Sequence, residues 1–475
     1  MIKQTVYDQV QNLENLCQEI CQTLWNNPET GGNEKFSADY LREILAKEGF
    51  SIKNEKHLVH AFCAEYGNGK PVIALIAEYD ALPGLSQKAC AAKEPVKADA
   101  PGHGCGHNLL GAASVTAAIA LKRFLAGEGI SGTVRLYGCP EEELLSGKVK
   151  MAYYHMFDGC DAAVTWHPSS TNMAHDRAYL ANASARFYFR GVTSHAAFAP
   201  ERGRSALDAV ELMNVGCNYL REHVIDKTRI HYSTDSGGFA PNIVPDRASA
   251  WYFVRAPHMA DVKDTMARIE KVAKGAAMMT ETQVDVRVEC GCCELSENTA
   301  YADLTYANLI EADGPKYTEE ELSFAKELQG TVDKSIMERE CAIHQLYDTP
   351  LALGVSKRDK WRECELTASS DTGDVSCIMP TNLFTTACWP LGCSPHTWQA
   401  AAAGGMSIGQ KGAFYAARVI AGIAYDLFTK PEALKKITKE FQDRHTQEYI
   451  PMYQESYPQG IPQYMSLRDG RTSSE

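Results

Sequence analysis

Positive charge is scarce in this chain of 475 residues: 47 Lys and Arg stand against 60 Asp and Glu, a formal net charge of −13. That balance disfavours nonspecific binding to nucleic acid or anionic lipid, both of which select basic surfaces. A leader-like apolar run is missing too. The opening stretch MIKQTVYDQVQNLENLCQEICQTL reads as a polar amphipathic helix without the apolar core of a signal peptide. The most apolar helical stretches, near 109–126 and 412–428, carry Lys122, Arg123 and Arg418. They are expected to be too short or too charged to span a bilayer. The sequence shows no repeat at solenoid periods and no low-complexity run. No G-x-G-x-x-G follows a strand-like segment, which argues against a nucleotide-dependent oxidoreductase.

Cysteine, by contrast, is plentiful, at 16 residues. In a long chain without an evident secretion signal, that number implies reduced thiols in the cytoplasm, not a disulfide framework. The CGCC run at 290–293 lacks a second ligand pair at zinc-site spacing and reads as small core hydrophobes. With 45% hydrophobic and 23% charged residues, the composition is that of an ordinary globular protein, long enough for two domains.

Apolar patterning gives the fold class. The stretch 34–50 has helical spacing and stops at Gly49, whereas PVIALIAEYDALPG (71–84) is a short apolar run ending in a polar loop. A helix over 109–126 is followed by strand-like runs at 132–143 and 160–169. Strands alternating with helices predict an α/β domain with a mixed, mostly parallel sheet. From about residue 183 the pattern changes to β-α-β-β-α-β over some 110 residues, a ferredoxin-like α+β layout. The α/β pattern resumes with a strand-like 381–390 and a helix from about 405 to 428. The expected organisation is therefore a discontinuous domain, 1–182 plus 292–475, with an inserted domain at 183–291.

Four groups in the first domain bear on chemistry. Cys105 and His107 are separated by one glycine in PGHGCGHNLLGA, so one turn can aim both side chains at a point. Alone the pair is weak evidence, since a turn with incidental Cys and His is the commoner case. Glu141, Glu142 and Glu143 follow an apolar strand, and like charges so placed need a counter-charge or a metal unless solvent takes them. His167 sits at the tip of another apolar strand, and His396 on a loop before a helix. Each has a bland reading. Together, thiolate, imidazole and carboxylate groups gather at predicted strand-end loops, where α/β sheets place their ligands. Such a set suits a borderline cation, and two such metals polarise a carbonyl and activate water. A metal-assisted hydrolase is what the residues alone suggest.

These stretches resemble peptidase family M20, the dinuclear metallopeptidases and amidohydrolases, and within it the amino-acid amidohydrolase branch. The resemblance rests on AEYDALPGLSQKA, GHGCGHNLLGAAS, GCPEEELLSGK, DAAVTWHPS, RIHYSTDSGGFAPNIVPDRA, SSDTGDVS and HTWQ, which span residues 77 to 399. It implies a catalytic domain and an inserted lid and dimerisation domain. It implies two divalent metal ions, Zn or Mn, held by Cys105, His107, Glu143, His167 and His396, with Cys105 bridging. Glu142 would be the general base and Asp80 would orient a ligand histidine. His195 would reach a neighbouring site across a dimer and stabilise the oxyanion. Asn242 would contact substrate. Apart from the resemblance, a substrate carboxylate needs a cationic partner; Arg204 and Arg255 are the candidates, and Arg255 is equally a candidate structural ion-pair residue. The implied reaction is hydrolysis of N-acyl amino acids or dipeptide-like amides, aminobenzoyl-glutamate among them. The implied assembly is a homodimer, or a hetero-oligomer with a related subunit in which this chain is accessory and non-catalytic. No nucleic-acid or membrane partner is expected.

The chain departs from the family pattern in three ways. Asn108 stands where relatives keep an Asp, Glu141 replaces a small residue, and Leu144 and Leu145 replace two glycines. A one-residue slip of the alignment would make Glu141 the base.

Overall fold

The computed structural model describes residues 3–176, 178–346, 349–357, 368–446, 448–453, 462 and 465. They fall into two compact units. The first takes in the described residues of 3–176, 296–357 and 375–449; the second takes in those of 178–295, 368–374 and 450–465.

In the first unit, β1 (Ser51–Asn54), β2 (Phe62–Asn68), β3 (Val72–Glu78), β4 (Gly132–Cys139) and β5 (Ala162–Val164) form a sheet in the order β1-β2-β4-β3-β5. A smaller sheet joins β6 (Trp166–Ser169), β7 (Met173–His175) and β12 (Leu383–Ala387) in the order β6-β12-β7. β3 runs parallel to both β4 and β5, and every one of its residues is buried. This is the continuous apolar strand that a sheet covered on both faces requires. The pairings β1–β2, β2–β4 and β7–β12 are antiparallel, whereas β3–β4, β3–β5 and β6–β12 are parallel. The sheets are mixed as expected, with three parallel and three antiparallel pairings among the described strands of this unit.

The helix His107–Glu128 lies at the centre of this unit. It begins beside Gly106 (φ +79°) and stops at Gly129 (φ +61°), a left-handed glycine of the kind that ends helices. It is apolar on nearly all sides and packs against β3, β4 and the helices Glu14–Asn26 and Ser407–Thr429. At 22 residues it is long and apolar enough to cross a bilayer, contrary to the sequence expectation, yet 83% of its most apolar window is buried inside the protein. Each large aliphatic side chain hidden here contributes about 1.5–3 kcal/mol.

In the second unit, β8 (Ala181–Arg190), β9 (Arg229–Ser236), β10 (Arg247–Ala256) and β11 (Gln283–Cys292) form an antiparallel sheet in the order β11-β8-β10-β9. The helices Ala206–Leu220 and Met259–Thr280 pack on it, which completes the ferredoxin-like layout. The segment 368–374 joins this unit because Leu180 N–H donates to the Ala368 carbonyl (2.9 Å) and Cys293 N–H to Asp374 Oδ2 (3.0 Å). Domain limits at 182 and 292 do not anticipate that return.

Candidate metal centre

The site is built at the ends of β3 and β4 and on β6, which carries His167. Cys105 lies on the loop entering the central helix, and His107 is that helix's first residue. A side chain on Gly106 would meet Pro168 and Trp389 at 3.1 Å, so a glycine both permits the turn and lets it sit flush. The His396 loop is tied to the same turn, its backbone N–H donating to the Gly104 carbonyl at 2.8 Å. Beyond β4, the turn Glu142–Leu144 is bracketed by two left-handed residues, Glu141 (φ +59°) and Leu145 (φ +54°).

Five predicted ligands converge. The donor atoms of Cys105, His107 and His167 lie within 4.8 Å of one another, as do those of Cys105, Glu143 and His396. Cys105 belongs to both groups. Its Sγ is 3.4 Å from His167 Nε2, and Glu143 Oε2 is 3.3 Å from His396 Nε2. The second nitrogen of each inner imidazole is committed elsewhere. His107 Nδ1 donates to Asp80 Oδ1 (2.8 Å) and His167 Nδ1 to the Pro168 carbonyl (2.7 Å), which leaves the two Nε2 atoms to face the centre.

Two buried donor atoms, His107 Nε2 and Glu143 Oε1, have no hydrogen-bond partner among the described residues. Buried polar atoms are rarely left so, and the thiol, imidazole and carboxylate set matches borderline divalent cations. The residues present therefore fit the dinuclear centre.

Burial, followed by the nearby Glu78 charge, pushes the Glu142 carboxyl up to about 8. Burial likewise takes Glu143 up to about 7. Desolvation pushes the His167 imidazole down to about 4 and raises the Cys105 thiol. Burial opposes a charge on His107, but Cys105 and Asp80 outweigh it and raise its pKa well above the usual imidazole value. Anions crowded in a dry site are costly without compensating charge.

The three consecutive acids divide their work. Glu141 turns away: its carboxylate accepts from Ser146 Oγ (2.6 Å) and pairs with Lys150, while its backbone N–H donates to Glu34 Oε1 (2.8 Å). Glu142 faces the centre, with Oε2 3.8 Å from His107 Nε2. Glu143 N–H donates to Asp80 Oδ2 at 2.8 Å, so one aspartate braces two of the predicted ligands. Asn108 is buried, and its Nδ2 donates to the carbonyls of Cys21 (3.2 Å) and Gly404 (3.1 Å). An aspartate there would face those oxygens with no proton to offer. Leu144 is 55% exposed and lies over Gly31, at the rim of the turn that carries Glu142 and Glu143.

Residues missed in the sequence also line the site. Glu78 Oε2 is 3.4 Å from His107 Nε2, and Glu78 Oε1 pairs with Lys148 at 2.7 Å. His103 is buried with Nε2 against the Leu24 carbonyl (3.1 Å). A glutamate inside the apolar run IALIAEYD was a visible signal for the first of these.

In the second unit, His195 is exposed, and its Nδ1 accepts from the N–H groups of Ala197 (3.2 Å) and Phe198 (3.1 Å). That fixes the tautomer with the proton on Nε2, an outward-facing donor. Asn242 lies beside it, its carbonyl accepting from Ala196 N–H at 3.0 Å. Arg255 lies apart from this pair on β10, half-buried, with Nη1 3.4 Å from Ser369 Oγ. Arg204 is held at 2.7 Å by Glu281 and donates to the Glu201 and Gly203 carbonyls, a structural engagement. Cys290, Cys292 and Cys293 are buried, and the metal-ligand groups found among the described residues include none of them.

Fold and site together define a hydrolase of the M20 type. Residues 181–278 match the peptidase dimerisation domain model of that family. A Bacillus subtilis protein, described as a dinuclear metal-binding peptidase from the M20 family, superposes with a TM-score of 0.57 at 15% identity, covering 88% of this chain and 99% of that one. A subunit of the p-aminobenzoyl-glutamate hydrolase of Escherichia coli is 41% identical over 441 residues, 89% of this chain and 91% of that protein. The Xaa-Arg dipeptidase of Mus musculus is 28% identical over 283 residues, 57% and 62% of the two chains. The chain belongs to peptidase family M20 and is a hydrolase of that family.

Proposed function

We propose that this chain is a metal-dependent amidohydrolase acting on N-acyl amino acids or dipeptide-like amides, with aminobenzoyl-glutamate the first substrate to test. The observation that carries the reading is the pair of donor triads sharing Cys105. Substrate class follows from similarity to the Escherichia coli hydrolase, and the dipeptidase supports a dipeptide-like alternative.

Two divalent ions, Zn or Mn, when bound by Cys105, His107, Glu143, His167 and His396, would polarise the amide carbonyl and activate water. Glu142 stands beside that set and would take the proton from water and return it to the leaving amine nitrogen. A bound cation favours its ionised form, reversing the upward push of burial. Asp80 would keep His107 in the ligating tautomer. Across a dimer, His195 would donate through Nε2 to the oxyanion developing in the neighbouring chain's site, and Asn242 and Arg255 would contact substrate.

Self-association has support in the second unit. The helix Ala206–Leu220 exposes Leu212, Val215 and Tyr219 at helical spacing, and Phe198 and Phe239 are exposed as well. A homodimer is the simplest assembly. A second reading, an accessory chain working with a related partner chain, is favoured by the Escherichia coli relative's being named as one subunit of its hydrolase. The complete donor set favours catalysis. The fifteen described cysteines are all free, which suits a reducing, cytoplasmic setting.

A panel of N-acyl amino acids and dipeptides, assayed on the purified chain with Zn²⁺ and with Mn²⁺, tests the proposal. Turnover of aminobenzoyl-glutamate or a close analogue is expected. Turnover that appears only after a second, related chain is added would select the accessory reading.

A further inference from the structure

Behind the ligand His107 lies an ion pair that no predicted ligand explains. Lys148 Nζ and Glu78 Oε1 are 2.7 Å apart, with side chains 0% and 3% exposed. A lysine is almost never buried so fully without a specific partner. The local chain is shaped to put it there. A side chain on Gly147 would lie 1.7 Å from the Pro140 carbonyl, so only glycine lets this helix start close against the end of β4 and aim Lys148 inward.

Glu78 is also placed where a ligand could be. Its donor atom, that of His107 and that of Glu142 all lie within 4.8 Å of one another, and Glu78 Oε2 is 3.4 Å from His107 Nε2. Two carboxylates, Glu78 and Glu142, thus approach the same metal-facing nitrogen. The other oxygen of Glu78, Oε1, is gripped by the buried Lys148 ammonium at 2.7 Å. Charge points the same way. The negative charges of Asp80, Glu142, Glu143, Glu78 and a Cys105 thiolate outnumber by one those that two dications neutralise, and Lys148 supplies the missing positive charge.

Resting on the functional reading above, we infer that Lys148 is a positioning residue that sequesters Glu78 from the metal centre. It keeps a sixth protein donor out of the ligand set, so that Glu142 is the carboxylate left beside the water. Lys148 acts through Glu78 and touches neither substrate nor reacting atoms.

The test uses the full chain, stripped and reloaded with Co²⁺, as wild type, Lys148→Met, Glu78→Gln and the double variant. Wild type, Glu78→Gln and the double variant are expected to share one visible cobalt spectrum, since none of them offers a free Glu78 carboxylate. Lys148→Met alone is expected to show a new spectrum from the added carboxylate, with Co²⁺ affinity changed about tenfold or more. If Lys148→Met does not fold without metal, Co²⁺ should restore its circular dichroism, because the ion replaces the lost charge. A folded Lys148→Met with the wild-type spectrum overturns the inference. So does a double variant carrying the same shift as the single one, or a Lys148→Met chain that Co²⁺ cannot fold. A wild-type chain that takes up no Co²⁺ defeats the functional reading itself, and this inference with it.

Discussion

Asp80 Oδ1 lies 2.8 Å from His107 Nδ1, with both side chains 0% exposed, and the other oxygen of Asp80 accepts Glu143 N–H at 2.8 Å. One carboxylate therefore orients two candidate ligands, one at the start of the central helix and one on the turn after β4.

Replacing Asp80 by Ala removes both contacts. Zinc affinity, measured by competition with a chromophoric chelator, is expected to fall about 10- to 100-fold, the usual effect of losing a partner that orients a ligand histidine. Asp80→Asn keeps one acceptor but turns an amide towards one of two donors, so its loss should be intermediate. Unchanged affinity in Asp80→Ala would mean that His107 and Glu143 are positioned by the backbone alone.

Asn108 donates to two carbonyls from full burial. Asn108→Asp is expected to destabilise the chain by about 3 kcal/mol at neutral pH, because an ionised carboxylate would replace a paired amide. Urea unfolding measures it. The loss should shrink in acid, where the protonated carboxyl again donates one bond. A loss that does not vary with pH would remove electrostatics as its cause.

His103 gives a pH prediction. Burial, followed by the His107 charge, holds its imidazole down to about 4, against 6.5 for a free histidine. The folded value is the lower one, so the unfolded chain binds the proton more readily. Stability from this group is complete above pH 6.5 and declines as pH falls from 6.5 towards 4. The decline is up to about 3 kcal/mol. His103→Asn, which retains a donor for the Leu24 carbonyl, should flatten the urea midpoint against pH in that window. An identical slope in the variant would contradict the assignment.

The fold was largely legible because apolar periodicity reports burial. The continuous run VIALIA predicts the fully buried β3, and the order of elements after residue 181 predicts the antiparallel second unit. Which strands pair was not legible, because the sequence does not say that β2 pairs with β4 in the antiparallel sense. The candidate ligands that the fold brings together were legible as a set, since their types are chemically conspicuous at strand ends. The roles of Glu141 and Lys148 were not. Glu141 is distinguished from Glu142 by φ +59° and by its contacts with Ser146, Lys150 and Glu34, and Glu78 meets Lys148 across 70 residues of chain. The acids' need for counter-charge was visible in advance, whereas the side chain that supplies it was not.

Gly147→Ala tests the geometry of that turn directly. With a methyl placed 1.7 Å from the Pro140 carbonyl, the backbone must shift, at an expected cost of about 1–3 kcal/mol, and carry the neighbouring acids with it. Thermal unfolding together with bound-metal content reads both effects. Retention of full stability and full metal content would show that the close approach does not matter.

The most direct test of the catalytic assignment is Glu142→Gln, with metal content and turnover measured on the same preparation. The expected result is two bound divalent ions per chain, as in wild type, with turnover of the best N-acyl amino acid substrate reduced about 10²- to 10⁴-fold. Loss of metal from Glu142→Gln, or turnover close to wild type with the metals retained, would contradict the assignment of Glu142 as the base beside the ligand set.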